Sequence, residues 1–271
     1  MSRPDLPLLV EADDLQNHIG NPLVLIVDLS KEGTYGQYHI PGAVHLEYSR
    51  IVASQPPVTG LLPDAADLGT ALSDIGLTPD HHVVAYDDEG GAKACRLLWT
   101  LDVIGHPHRS LLNGGLHTWL NEDHATNNQT PETRRSSYHA VITDKSHVTK
   151  EYLLAHLGEP SLILLDTRSE AEFNGSDKRA ARSGHIPGAV NVDWTRTIDQ
   201  NHNMRLRPES ELRSMYEVLG VTRDKEIVAY CQTHHRSSHS YWVLKSLGYT
   251  NVKGYPGAWS EWGNSDDTPI E

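Results

Sequence analysis

LILLDTRSEAEFNGSDKRAARSGHIPGAVNVDWTR, residues 162–196, runs from an apolar strand ending in Asp166 through a polar stretch into the turn-rich HIPGAV. The same order occurs at residues 23–50, LVLIVDLSKEGTYGQYHIPGAVHLEYSR, where Asp28 closes the strand and the insert at 176–183 has no counterpart. Further on, VAY at 84–86 matches VAY at 228–230, and NGGLHTWLNE at 113–122 matches YPGAWSEWGN at 255–264. The chain is one domain written twice, and a repeat of this length fixes the architecture before any single element is considered.

Each copy reads as strand, loop, HIPGAV, helix, strand, loop, helix, short strand, Gly turn and helix. The strands VLIVD, HVVAY, LILLD and EIVAY show little polar alternation. Short apolar runs of this kind belong to parallel strands covered on both faces. Strands that alternate with helices imply an α/β fold, each copy a mainly parallel sheet flanked by helices on both faces. The expected division is an N-terminal domain at 1–124, a polar linker at 125–144 and a C-terminal domain at 145–271. Pro41–Gly42 and Pro187–Gly188 steer the chain toward the next strand, a structural role. Asp28 and Asp166 are expected to organise the loops that follow them.

The chain has 271 residues, so each copy is long enough to bury a core of its own. Lys plus Arg is 23 and Asp plus Glu is 36, so the formal charge is 23 − 36 = −13. That balance argues against nucleic acid or an anionic membrane surface as partner. No apolar run approaches the roughly 20 residues of a membrane span, and the N-terminal stretch lacks the apolar core of a secretory signal. The 2 cysteines form neither a disulfide framework nor a CxxC pair, which points to a reducing cytoplasm. The chain has 17 histidines, and His81, His82, His106 and His108 are expected to be solvated surface residues.

Chemistry concentrates in CQTHHRSS, which follows the strand EIVAY. Ligands of open α/β sheets bind beyond the carboxyl ends of the strands. Cys231 lies at such an end, before a helix that opens near Ser237 with Tyr241, Trp242, Leu244 and Leu247 on its buried side. The first amides of that helix and the loop N–H groups favour an anion. Arg236 adds a fixed positive charge and His234 and His235 add a titratable one, so the Cys231 thiolate is expected at neutral pH. An ionised thiol there is a nucleophile, and its surroundings suit a second, anionic sulfur. A small buried core residue is the competing reading of Cys231, opposed by the uninterrupted polar and cationic run after it. A zinc site from His234, His235 and His239 has no second cysteine and no HExxH spacing to support it.

In the first copy Asp87 stands where the second has its cysteine, within DDEGGAKACRLLW. An acidic group repels an anion and cannot attack sulfur, so this copy is expected to be inactive. Cys95, inside the following helix, reads as a buried and inert thiol. Trp259 and Trp262 read as core, and Trp194 as either a wall of the pocket mouth or packing.

The doubled HIPGAV, the VAYCQTHHRSS stretch, the closing YPGAWSEWG and Asp87 in the first copy resemble the two-domain rhodaneses, sulfurtransferases whose C-terminal domain alone carries the cysteine. The resemblance covers almost the whole chain, and its CQTHHR loop is similar to that of bacterial thiosulfate sulfurtransferases. It implies a ping-pong reaction in which Cys231 takes sulfane sulfur from thiosulfate as a persulfide and passes it to cyanide or another thiophilic acceptor. A sulfur-acceptor protein is the other kind of partner it implies, and no cofactor is needed. The implied substrate-binding residues are Gln232, Thr233, His234, His235, Arg236 and Ser237, with Arg236 closing the loop on the donor's anionic end and the two histidines at the rim. The loop is neither the CRKGVT of the vertebrate thiosulfate enzymes nor the CGSGVT of mercaptopyruvate sulfurtransferases. Glu172 stands where the thiosulfate enzymes carry a substrate-binding arginine. 3-Mercaptopyruvate and other persulfide donors are therefore alternatives. A cysteine phosphatase or arsenate reductase of the same fold is a further one, although its loop has five residues between Cys and Arg where this chain has four, residues 232–235.

Overall fold

The computed structural model describes residues 3–271. The chain forms two compact units. One consists of the chain up to Ile51, Pro63–Thr143 and Asp199–Leu206; the other consists of Val52–Leu62, Asp144–Ile198 and Arg207–Glu271. Each unit therefore contains a short segment encoded in the other repeat, an arrangement that hydrophobic patterning does not reveal.

The first unit is built on a parallel sheet whose strands lie in the order Leu9–Val10, Arg109–Leu112, His82–Tyr86, Val24–Asp28 and Val44–His45. The second has Val252–Gly254, Glu226–Tyr230, Leu162–Asp166 and Val190–Asn191, again parallel throughout. The fold is α/β with two tandem units, as the repeat implies. His82–Tyr86 is buried along its whole length and Glu226–Tyr230 along all but its first residue, the pattern of strands packed on both faces. The core of the second unit gathers Leu153, Leu164, Ile186, Val228, Tyr230, Trp259 and Trp262, so both tryptophans of WSEW are core.

The repeated motifs have a shared physical purpose. The hydroxyl of Tyr86 accepts the Ile40 amide at 3.1 Å, and that of Tyr230 accepts the Ile186 amide at 3.2 Å. The tyrosine of each VAY thus anchors the HIPGAV of its own unit. Gly42 (φ 79°) and Gly188 (φ 74°) take left-handed backbone that turns the chain into the next strand. Asp28 Oδ1 accepts the Ser30 amide at 2.6 Å and Asp166 Oδ1 accepts the Arg168 amide at 3.0 Å, which organises both loops. Asp166 also pairs with the buried Arg168 guanidinium at 2.6 Å, and Arg168 lies 4.5 Å over the Trp259 ring. The polar stretch after residue 124 is ordered against the first unit: Asn127 exchanges backbone hydrogen bonds with His39, and the Ser136 amide donates to Ser73.

The histidines of the first unit correct one expectation. His82 and His106 are not solvated; they are 3% and 2% exposed. His82 Nε2 lies 2.7 Å from the Ser110 hydroxyl, and His106 places its two ring nitrogens 3.1 Å from the Tyr138 hydroxyl and the His81 carbonyl. Burial, reinforced for His82 by neighbouring cationic groups, pushes both pKa values down to about 4. Their partners lie 28, 32 and 25 residues away in sequence, so only the folded chain shows them.

Candidate active site

Cys231 follows Glu226–Tyr230, one of the two inner strands of the second unit, and the helix Arg236–Ser246 begins five residues on. Between them the chain makes a tight loop in which His234 takes a left-handed φ of 52°. The loop is held from behind. The Trp259 amide donates to the Cys231 carbonyl and the Ser260 amide to the Gln232 carbonyl, each at 2.9 Å. Gln232 Nε2 donates to the Arg179 carbonyl at 3.1 Å.

Cys231 is fully buried, and what surrounds its sulfur decides its chemistry. Burial opposes ionisation and is the largest single influence on the thiol. The Arg236 charge, the Ser237 hydroxyl and the backbone amides of Ser237 and Thr233 together outweigh it, and the pKa lies below the ordinary thiol value. Thr233 is in the loop and Ser237 in the first turn of the helix, so loop amides and helix N-terminus converge on one atom.

The first unit supplies an internal control. The helix Ala92–Val103 begins five residues after Asp87, the same spacing as in the second unit. Asp87 Oδ1 accepts the amides of Glu89 at 2.9 Å and Gly91 at 2.8 Å, and Oδ2 accepts that of Ala94 at 2.9 Å. The cradle is thus retained and filled by the chain's own carboxylate. The carboxylate of Asp87 occupies the position where the second unit presents its sulfur. Cys95 is buried in the helix behind it, its pKa raised well above the ordinary value by burial and then by the Asp87 charge.

Arg236 and Glu172 form the other feature of the site. Arg236 Nη1 lies 2.6 Å from Glu172 Oε2 and Nη2 lies 2.8 Å from Oε1, a bidentate pair. Glu172 also caps the short helix Glu170–Phe173: its carboxylate accepts the Ser169 amide while the Ser169 hydroxyl accepts its own. Burial raises the Glu172 pKa, but the Arg236 pair and the Ser169 contacts overcome it and bring it to about 2. The sequence places Glu172 at a substrate position by resemblance; its pairing with Arg236, 64 residues away, is visible only in the fold. Both terminal nitrogens of Arg236 are thus engaged by one carboxylate.

His234 is corrected from rim to interior. It is fully buried, with Nδ1 2.7 Å from the Ser237 hydroxyl that serves the sulfur. His235 and Thr233 are half-buried. His239 is buried, its Nδ1 3.5 Å from the Thr197 hydroxyl; burial lowers its pKa to about 3, so it stays neutral. Trp194 is half-buried and stands edge-on to His239 with ring centroids 5.3 Å apart. Among the described residues no group of three or more His, Cys, Asp or Glu side chains is placed to hold a metal ion, and no helix is long and apolar enough to cross a membrane.

The rhodanese-like domain model matches residues 11–122 and again 149–265. The chain belongs to the rhodanese family. Thiosulfate sulfurtransferases of Pseudomonas aeruginosa and Azotobacter vinelandii are each 43% identical to it, over 98% of this chain and 98% and 97% of theirs. The sulfur carrier protein TtuD of Thermus thermophilus is 33% identical over 97% of this chain and 96% of its own. Identity of that extent across whole chains makes this rhodanese an enzyme of the sulfurtransferase class. Among solved structures, the anaerobic ergothioneine biosynthesis enzyme of Chlorobium limicola shares the fold, with a TM-score of 0.87 and 22% identity over 97% of this chain and 70% of the other.

Three residues packed around the cysteine loop escape a reading of the sequence: Gly60, which lies against Thr233, Thr59, whose amide donates to the Ser260 hydroxyl, and Ser260 itself, whose amide donates to the Gln232 carbonyl. The only local signal is that Gly60 follows a turn-forming PPVT, which marks a hairpin but not its neighbour.

Proposed function

We propose that the protein transfers sulfane sulfur from thiosulfate to a thiophilic acceptor through a persulfide on Cys231. The observation that carries this reading is the convergence of the Thr233 and Ser237 amides, the Ser237 hydroxyl and the Arg236 charge on one buried sulfur. The Cys231 thiolate attacks the outer sulfur of thiosulfate. A new S–S bond forms, the old one breaks, and its electron pair leaves on sulfite. The outer sulfur of the persulfide is now the anion that the cradle holds, where the first unit holds the Asp87 carboxylate. An acceptor such as cyanide then attacks that sulfur, forms thiocyanate and returns the thiolate, which makes the cycle ping-pong. No cofactor takes part.

Arg236, tied to Glu172, acts mainly by stabilising the thiolate and persulfide, and Gln232, Thr233, His234, His235 and Ser237 shape the cradle around them. A sulfur-acceptor protein is the natural recipient in place of cyanide, and the name of the Thermus relative, a sulfur carrier, supports this. Both cysteines are unpaired thiols, which fits the reducing cytoplasm.

Intact mass after incubation with thiosulfate tests the proposal. The protein should gain one sulfur atom, lose it on addition of cyanide, and gain none as Cys231→Ser. Absence of the adduct in the unmodified protein, or phosphatase activity on p-nitrophenyl phosphate above the sulfur-transfer rate, would overturn it.

A further inference from the structure

The segment Val52–Leu62 belongs to the first repeat in sequence and to the Cys231 unit in space. It is a hairpin: Ala53–Gln55 and Val58–Leu61 pair antiparallel, with Ser54 opposite Thr59 and Gln55 opposite Val58. One contact joins its second strand to the cysteine loop directly, and a second reaches the loop through Ser260.

The first is steric. Gly60, at φ +84°, lies flat against Thr233. A Cβ at this position would sit 2.7 Å from the carbonyl carbon and the Cβ of Thr233, and closer still to its carbonyl oxygen. Cβ atoms do not approach that closely, so the fit requires glycine for space as well as for backbone conformation. The second is polar. The Thr59 amide donates to the Ser260 hydroxyl at 3.1 Å, and the same hydroxyl lies 2.8 Å from the Thr59 carbonyl. The Ser260 amide in turn donates to the Gln232 carbonyl.

Peptide planarity turns these contacts into control of the sulfur. The Gln232 carbonyl and the Thr233 N–H belong to one trans peptide and point in opposite directions. Fixing the carbonyl on Ser260 therefore aims the N–H the other way, and that N–H is one of the donors to the Cys231 sulfur. The next peptide begins with the Thr233 carbonyl, which Gly60 blocks from behind. The loop cannot rotate its amides away from the sulfur without pushing into the hairpin.

We infer that the hairpin at Thr59–Gly60, acting through Ser260 and the Thr233 carbonyl, is a positioning element that sets the acidity of Cys231. The inference rests on Cys231 being the sulfur carrier. It assigns the first repeat a part in the chemistry although its own cradle is filled by Asp87, because it encodes the strand that holds the loop of the second.

The test is the pH dependence of Cys231 alkylation by iodoacetamide, followed at that residue by mass spectrometry, in the full-length protein and in Gly60→Ala and Ser260→Ala. A displaced loop amide raises the thiol pKa, and each unit of rise lowers the thiolate fraction tenfold below the midpoint. At pH 6 alkylation should fall about tenfold in Gly60→Ala and about threefold in Ser260→Ala, with near-UV circular dichroism unchanged. If Gly60→Ala does not fold, Ser260→Ala decides alone. A midpoint in Ser260→Ala equal to that of the unmodified protein overturns the inference. An unmodified protein that itself alkylates with the midpoint of an ordinary thiol, near pH 8.5, overturns the sulfur-carrier reading and the inference with it. The two failures are thus told apart by the unmodified protein alone.

Discussion

Replacing Glu172 by glutamine removes a charge and almost no volume, so its effect isolates the ion pair with Arg236. The Glu172 carboxyl goes from 4.5 to about 2 on folding. At 1.36 kcal/mol per pH unit that difference amounts to about 3 kcal/mol of stability at neutral pH. Glutamine still offers one oxygen to the guanidinium, so the measured loss at pH 7 should be about 2 kcal/mol. The sign follows from the depressed pKa: the contribution is complete above pH 4.5 and is lost as pH falls from there through 2. The difference between the two proteins should therefore be constant from pH 7 to pH 6 and smaller by about 1 kcal/mol at pH 4. The same substitution leaves the Arg236 charge less neutralised. The Cys231 thiol should become more acidic, and KM for the doubly anionic thiosulfate should fall. Urea unfolding at pH 7, 6 and 4, alkylation rate against pH, and thiosulfate initial rates measure the three effects on one protein. A stability loss below about 0.5 kcal/mol at pH 7, or a Cys231 midpoint that rises, would refute the reasoning, because the pair would then be neither built nor coupled to the sulfur.

Asp87→Ala leaves the buried amides of Glu89, Gly91 and Ala94 without their acceptor, and should destabilise the first unit by about 2–4 kcal/mol in urea unfolding while kcat stays within about twofold of normal. His82→Gln should flatten the acid limb of the stability curve: a histidine whose pKa drops from 6.5 to about 4 on folding contributes stability above pH 6.5 that is lost as pH falls toward 4, and the slope of unfolding free energy between pH 6.5 and 5 reads it directly. At pH 7, iodoacetamide should label one thiol per folded chain at Cys231, with Cys95 reacting only after unfolding, since burial and the Asp87 charge hold that thiol protonated; mass mapping of the labelled peptide checks it.

The sequence alone determined what is written in short-range pattern. The strands at Val24–Asp28, His82–Tyr86, Leu162–Asp166 and Glu226–Tyr230 lie where the apolar runs put them, because a strand buried on both faces has to be apolar on both. The duplicated HIPGAV established two units, and a cysteine between a strand and a helix, followed by QTHHR, marked the place of the candidate site. What the sequence could not decide depends on partners far apart in the chain. The burial of His82 and His106 and the commitment of Arg236 to Glu172 are set by packing, which brings polar groups together only after the sheet and its helices have closed. The hairpin Val52–Leu62 is the clearest case. Nothing in its own residues distinguishes a surface loop of the first repeat from a wall of the second unit's site. The distinction arises where Gly60 meets Thr233 and Thr59 meets Ser260, across separations of more than a hundred residues that no local pattern encodes.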